Sequence, residues 1–215
     1  MRYVLMVLGI AVAGVGLSML VTERKDLTPD PMAREWARRE AQEKQKTPKA
    51  DRAPEPFNPP REGVRTAVLR FESLGELEME LYPSAAPKTV ARFIQLIHSG
   101  FYKGILVHRV EPGFVVQLGD PKTKTAGLSE PTIGQNGSGQ NIPFEKNALK
   151  HVAFTVSMAL SSPQSDTADS QFFINLGNNH QLDGDYCVFG RVTKGIDVLD
   201  KIQPGDRVER FQLKP

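Results

Sequence analysis

The chain has 215 residues, 40% of them hydrophobic, which is enough for one full domain with an appendage and a buried core. Its formal net charge is +2, its Lys and Arg are spread along the chain, and no basic run is interleaved with aromatics, so the composition excludes a nucleic-acid partner. A single cysteine, Cys187, excludes an internal disulfide and a cysteine-rich zinc site, and its apolar setting beside Val188 and Phe189 marks it as a small core residue.

From Tyr3 to Val21 there is no charged side chain. About 19 residues at ~1.5 Å each span ~28 Å, close to the ~30 Å of a bilayer core, so residues 3–21 are expected to form a transmembrane anchor. A cleaved signal peptide is the alternative, with Ala11-Val12-Ala13 as the small-residue site, although the apolar run continues well past it. Residues 22–62 read as a linker in two parts. Asp30 and Pro31 open a charged helix over Met32–Lys46 whose only apolar pair is Met32 and Trp36, and Pro48, Pro54, Pro56, Pro59 and Pro60 then make an extended, semi-rigid spacer.

A globular domain is expected over 63–215. Arg65–Glu72 places Ala67, Leu69 and Phe71 on one face, and Glu76–Leu81 does the same with Leu77, Met79 and Leu81, which gives an antiparallel hairpin. Pro87 and Thr89 open a helix carrying Val90, Phe93, Ile94 and Ile97 on one side, and Gly100 ends it. Next come two short strands about the Pro112-Gly113 turn, which set Arg109, Phe114 and Gln117 on neighbouring ladders. The polar, glycine-rich stretch 121–141 lacks the Gly-Lys-Ser/Thr ending of a nucleotide loop and reads as a surface loop. Further strands are expected at Val152–Ala159, Gln171–Asn175, Cys187–Val192 and Val208–Leu213, with a short helix at Gly195–Ile202. Many short strands with two helices imply a mainly β fold, a closed or nearly closed antiparallel barrel capped by the helices.

Several chemistries find no support. The histidines His98, His108, His151 and His180 are scattered without metal-ligand spacing, and no serine sits in a Gly-x-Ser-x-Gly elbow. His108 faces away from Arg109 on an alternating strand and reads as a satisfied structural residue rather than a base. An arginine beside an aromatic and an amide, with no nucleophile nearby, suits polarising a peptide better than breaking one.

The segment His108-Arg109-Val110-Glu111-Pro112-Gly113-Phe114, with Gln117 and Gly119-Asp120 behind it, resembles the central motif of the cyclophilins, the peptidyl-prolyl cis-trans isomerases. Further blocks agree in order: Glu80-Leu81-Tyr82, Ala85 to Val90, Ser157-Met158-Ala159, Ser170 to Ile174, Leu182-Asp183-Gly184 and Val188 to Val192. The resemblance covers residues 64–213 and implies an eight-stranded closed barrel with a helix at each end. It implies a catalytic Arg109 assisted by Gln117. It implies a proline-holding pocket of Phe114, Val115, Phe173 and Leu182, a peptide-gripping amide at Gln171, and further substrate contacts at Ala159, Leu160, Gln181 and Tyr186. No cofactor or metal is implied.

The chain departs from the family pattern at Leu160, where many members have asparagine, and at Gln181, where others have an aromatic or histidine. Leu118 and Phe154 replace glycines. Gln181 in place of tryptophan implies weak cyclosporin binding. Two functions remain open: an isomerase acting on proline-containing peptides or unfolded proteins, and a non-catalytic module that holds proline segments. The anchor makes the membrane a partner. Arg24, Lys25 and Arg34 favour a cytoplasmic barrel on the positive-inside count, whereas the layout of an N-terminal apolar segment ahead of a large domain favours the extracytoplasmic side, which is the expectation adopted.

Overall fold

The computed structural model describes residues 52, 53 and 55–215. The expected anchor over 3–21 and the charged helix over 32–46 lie outside the described residues. Eight strands form one antiparallel sheet in the order β3-β4-β6-β5-β7-β2-β1-β8. The first hairpin joins β1 (Arg65–Phe71) to β2 (Gly75–Leu81) with Ala67 opposite Met79 and Leu69 opposite Leu77, so the alternating apolar residues share the inner face. Ala67, Leu69, Phe71, Leu77, Met79 and Leu81 are all buried.

Helix α1 (Pro87–His98) closes one end of the sheet. Its N-terminal residue pair is capped from far along the chain: Glu145 accepts from the backbone N–H groups of Lys88 at 2.9 Å and Thr89 at 2.6 Å, where the preceding Ala86 has no side chain able to do so. Phe93 projects from this helix into the core and meets the rings of Tyr102, Phe172, Phe189 and Phe211 at centroid distances of 5.4, 5.0, 4.8 and 5.4 Å. These tilted and edge-on contacts are the geometry aromatic quadrupoles favour. Cys187 lies in the same core, its thiol pushed up to about 12 by burial, as expected of an inert packing residue.

The remaining elements are β3 (Arg109–Glu111), β4 (Val115–Leu118), α2 (Thr123–Ala126), β5 (Thr155–Met158), β6 (Phe172–Asn175), a 3₁₀ turn (His180–Leu182), β7 (Val188–Lys194), α3 (Ile196–Leu199) and β8 (Val208–Leu213). The barrel is not closed as expected. The ladder is a half-barrel with β3 and β8 at its edges, and they meet only through the chain just before β3: Leu106 bridges Arg207, and Val107 N–H donates to Asp206 O at 2.9 Å. The turn at Tyr102–Ile105 leaves β3 three residues long, too short to carry a ladder across. Strand β5 is also shorter than the expected Val152–Ala159, because Phe154 takes a left-handed backbone with φ 73° and interrupts it. Glycine would adopt that conformation freely, so here a bulky residue stands in a glycine's backbone.

The proline-rich segment also has a defined place. Arg52, Ala53 and residues 55–62 carry no helix or strand, and they lie along the barrel flank, with Phe57 packed on Tyr82 at 5.8 Å.

Candidate active site

A cavity of about 260 Å³ opens beside the β3–β4 hairpin, within the sheet but at its rim. The hairpin supplies Arg109, Phe114, Val115 and Gln117; the chain after β5 supplies Ala159 and Leu160; β6 supplies Phe173; the 3₁₀ turn supplies Leu182, and the segment after it Tyr186. The register explains the first group. Arg109 pairs with Gln117 across the Pro-Gly turn, and Gln117 pairs with Phe173 on the other side of β4. One row of the sheet therefore sets a cation, an amide and an aromatic in line. Phe173 and Tyr186 meet edge-on at 5.7 Å to form the floor.

Arg109 is exposed and weakly held. Its Nη1 donates to Gln117 Oε1 at 3.3 Å, its Nε to Glu111 Oε1 at 3.4 Å, and its guanidinium lies 5.8 Å from the Phe114 ring. The amides behind it are directional. Gln171 Nε2 donates to the Asn136 carbonyl at 2.7 Å, which leaves its oxygen to accept from Gln117 Nε2 at 3.0 Å, and Gln117 is then left with its own oxygen toward Arg109. A backbone carbonyl thus fixes the orientation of the whole chain.

The glycine-rich loop lines the next depression, which shares Gln117 with the cavity, and two buried carboxylates hold it. Asp120 accepts from the backbone N–H of Lys122 at 2.8 Å, from Gly134 at 2.7 Å and from Asn136 at 3.2 Å, and from the Asn136 side chain at 3.0 Å. Asp169 accepts from Gly139 N–H at 2.9 Å and from the Ser138 hydroxyl, and it pairs with the buried Arg92 at 3.5 Å. Gly119, beside Asp120, has φ 110°, and a Cβ there would stand 2.3 Å from Ser170 O. The neighbouring Leu118, which replaces a family glycine, is fully buried in the core.

The structure brings most of the sequence-predicted site residues to the cavity and sets two of them apart. Gln171 does not line it but stands behind Gln117 in the next depression, and Gln181 is exposed on the 3₁₀ turn, outside the lining. A short turn shows Leu182 to the cavity and turns its neighbour away. His108 differs from the satisfied residue expected. Burial holds it below its ordinary pKa, against the pull of Asp120, and both ring nitrogens are buried without a hydrogen-bond partner. The site also uses residues that the sequence reading missed. Asn179 Nδ2 donates to the Phe114 carbonyl at 2.9 Å and to Asn175 Oδ1 at 2.7 Å, tying the tip of the hairpin to β6. Nothing local in Asn175 to Asn179 announces that role, because the partner lies more than sixty residues away in sequence.

Comparison with known proteins places this geometry. A family model described as cyclophilin type peptidyl-prolyl cis-trans isomerase/CLD matches residues 66–214. The chain is 38% identical over 152 residues to a probable peptidyl-prolyl cis-trans isomerase of Brucella suis biovar 1, spanning 69% of this chain and 76% of that protein. It is 34% identical over 151 residues to peptidyl-prolyl cis-trans isomerase B of Bacillus subtilis, spanning 70% of this chain and 99% of that one. Among solved structures, a cyclophilin type peptidyl-prolyl cis-trans isomerase of Cryptosporidium parvum superposes with a TM-score of 0.61 at 28% identity, covering 70% of this chain and 98% of the other. That protein has also been crystallised in the presence of the dipeptide Ala-Pro.

Proposed function

The chain belongs to the cyclophilin-type peptidyl-prolyl cis-trans isomerases, and from that premise we propose that Arg109 performs the isomerisation, with the proline seated in the cavity beside it. The observation that carries this reading is a guanidinium at the mouth of a cavity that also presents Phe114, Val115, Phe173 and Leu182, aimed by a directional chain of amides. Phe114, Val115, Phe173 and Leu182 take the prolyl ring, and Gln117, oriented from behind by Gln171, grips the peptide backbone. Turning an X-Pro bond breaks amide resonance across a barrier of ~18–20 kcal/mol, so the uncatalysed process takes tens to hundreds of seconds. In the twisted state the prolyl nitrogen regains a lone pair, which Arg109 hydrogen-bonds; the planar ground state offers no such acceptor, so the bond lowers the barrier. Raising a rate of ~0.01 s⁻¹ to ~10 s⁻¹ requires roughly 4 kcal/mol, within reach of one charge-assisted bond plus orientation.

Replacing Arg109 by Ala is the test. Its contacts are long and exposed, so the fold should keep its circular dichroism spectrum while kcat/KM for an Ala-Pro peptide falls about 10²–10³-fold. Arg109→Lys should recover little, since a point charge on a flexible stem lacks the planar fork. Wild-type turnover in a folded Arg109→Ala protein would refute the assignment.

The same reading places an anchor at 3–21, a tether at 22–62 and the isomerase domain at 63–215, with the barrel on the extracytoplasmic side, where it meets proline-containing segments of unfolded proteins. It rests on the uncharged run Tyr3–Val21. Among the described residues no helix is long and apolar enough to cross a membrane. Protease added to intact spheroplasts should digest the barrel; protection until lysis would place it in the cytoplasm.

A further inference from the structure

Residues 55–60 run extended along the barrel with a two-residue rhythm: Glu55, Phe57 and Pro59 are half-buried, and Pro56, Asn58 and Pro60 are exposed. Proline suits such a strap, because its fixed φ favours extension and the segment needs no ladder N–H groups. The strap is held on both sides of Glu55. Upstream, Arg52 Nε donates to Leu176 O at 2.7 Å, its Nη1 pairs with Asp200 at 2.6 Å, and its guanidinium covers the Phe154 ring at 5.4 Å. Downstream, Phe57 lies under Arg191 at 5.0 Å, and Arg61 forks onto Glu80 at 2.6 and 2.9 Å.

Between these anchors the Glu55 carboxylate meets His180 Nε2 at 2.9 and 3.2 Å. His180 opens the 3₁₀ turn that delivers Leu182 to the cavity. Its other ring nitrogen, Nδ1, faces Asp183 Oδ2 at 3.1 Å. The second oxygen of Asp183 accepts from the backbone N–H of His151 at 2.8 Å and lies 3.0 Å from its ring Nδ1, while Lys150 approaches Oδ2, the oxygen that faces His180, at 3.3 Å. The buried His151 ring in turn lies parallel to Phe173, 17° between planes and 6.1 Å between centroids. An unbroken series of polar contacts therefore runs from the strap to the residues backing both Leu182 and Phe173.

We propose that Glu55 is a positioning residue for the isomerase: by clamping His180, it sets the 3₁₀ turn and the adjoining wall of the prolyl cavity. The inference rests on the reading of that cavity as the peptide site. An exposed ion pair is ordinarily worth little, because two long side chains must be ordered to make it. Here the backbone that bears Glu55 is already placed by Arg52, Phe57 and Arg61, so the carboxylate needs little further ordering. The contact also has a defined charge state. A carboxylate accepts only, and both ring nitrogens of His180 face carboxylates, so the full clamp requires the imidazolium. Glu55 first, then Asp183, raise the pKa of His180. The charged groups that face it are Glu55 from the strap and Asp183 on its own turn, with His151 and Lys150 reaching it through Asp183. As pH rises through the raised pKa the ring loses one donor, and the clamp loosens.

The full-length chain should be assayed by NMR exchange on an Ala-Pro peptide from about pH 6 to pH 9, an interval that brackets a raised histidine pKa. In the wild type, kcat/KM should decline as pH rises through the His180 titration. Glu55→Gln should lower kcat/KM about fivefold at the acid end, mostly through KM, and move the declining limb to lower pH. Glu55→Asp should restore part of the loss, and His180→Gln should remove the limb. Superposable profiles for wild type, Glu55→Gln and His180→Gln, with Arg109→Ala inactive, would overturn the clamp and leave the cavity reading standing. A lower Tm with unchanged KM would likewise overturn it, since that is what a merely structural contact does. An active Arg109→Ala protein would remove the cavity reading, and the clamp with it.

Discussion

Strands β3 and β4 build one wall of the cavity through backbone pairing, with Arg109 opposite Gln117, Val110 opposite Val116 and Glu111 opposite Val115 about a three-residue turn. The loop beside it, from Asp120 to Asn141, lines the adjoining depression and has only the four residues of α2 as regular structure, and side chains hold it: Asp120 and Asp169 collect the loop's N–H groups, and Arg92 balances the second of them. The first wall spreads its stability over many similar bonds, any one of which is a small part of the whole. The second concentrates it in two buried carboxylates. Single side-chain losses should therefore be mild in the hairpin and severe in the loop, even though Gln117 borders both depressions.

The largest effect should follow from Asp120→Ala, which removes the fully buried carboxylate that accepts from the N–H groups of Gly134 and Asn136 and from the Asn136 amide. At ~1–3 kcal/mol for each unsatisfied group, a loss of about 3 kcal/mol or more is expected, or ~10 °C in Tm. Activity should fall with it, because Asn136 anchors Gln171. A Tm within error of the wild type in a calorimetric scan would show that the loop does not depend on this carboxylate.

A smaller effect is expected at the exposed 3₁₀ turn. Gln181 is exposed and lies outside the cavity lining, so it offers neither an aromatic face nor a fixed indole donor to cyclosporin. Wild-type binding should be weak, and Gln181→Trp should tighten it about a hundredfold, ~2.7 kcal/mol, in a calorimetric titration. Tight binding by the wild type, unimproved in the variant, would contradict this.

The smallest effect is a slope in pH. Burial lowers the pKa of His108, next to Gly134 of the loop, and of His151, behind Phe173, where Asp183 only partly opposes it. In the unfolded chain both titrate near 6.5. Between the lowered folded values and that point the unfolded state binds more protons, so stability is complete above it and is lost as pH falls through the window. Tm should decline from pH ~7 to pH ~5, with a shallower slope in His108→Gln. A flat profile would mean that neither ring is held neutral by the fold.

Much of the architecture was legible from local pattern alone. The alternation of Ala67, Leu69 and Phe71 and of Leu77, Met79 and Leu81, the helical spacing of Val90, Phe93 and Ile97, and the Pro112-Gly113 turn are short-range signals, because side-chain direction follows from strand and helix geometry over a few residues. Register across that turn also follows locally, which is why Arg109 and Gln117 were expected together. The family resemblance then extended the site to Phe173, Leu182 and Tyr186. What required the tertiary structure were contacts between residues far apart in the chain. Glu145 caps a helix from 57 residues away, Asn179 holds the Phe114 carbonyl from 65, and Glu55 reaches His180 across 125. A carboxylate or amide looks the same in sequence whether it is solvated or buried against a distant N–H group. Only the folded chain, by excluding water from Asp120 and Asp169 and leaving Glu55 on the barrel flank, decides which polar residues hold the site together.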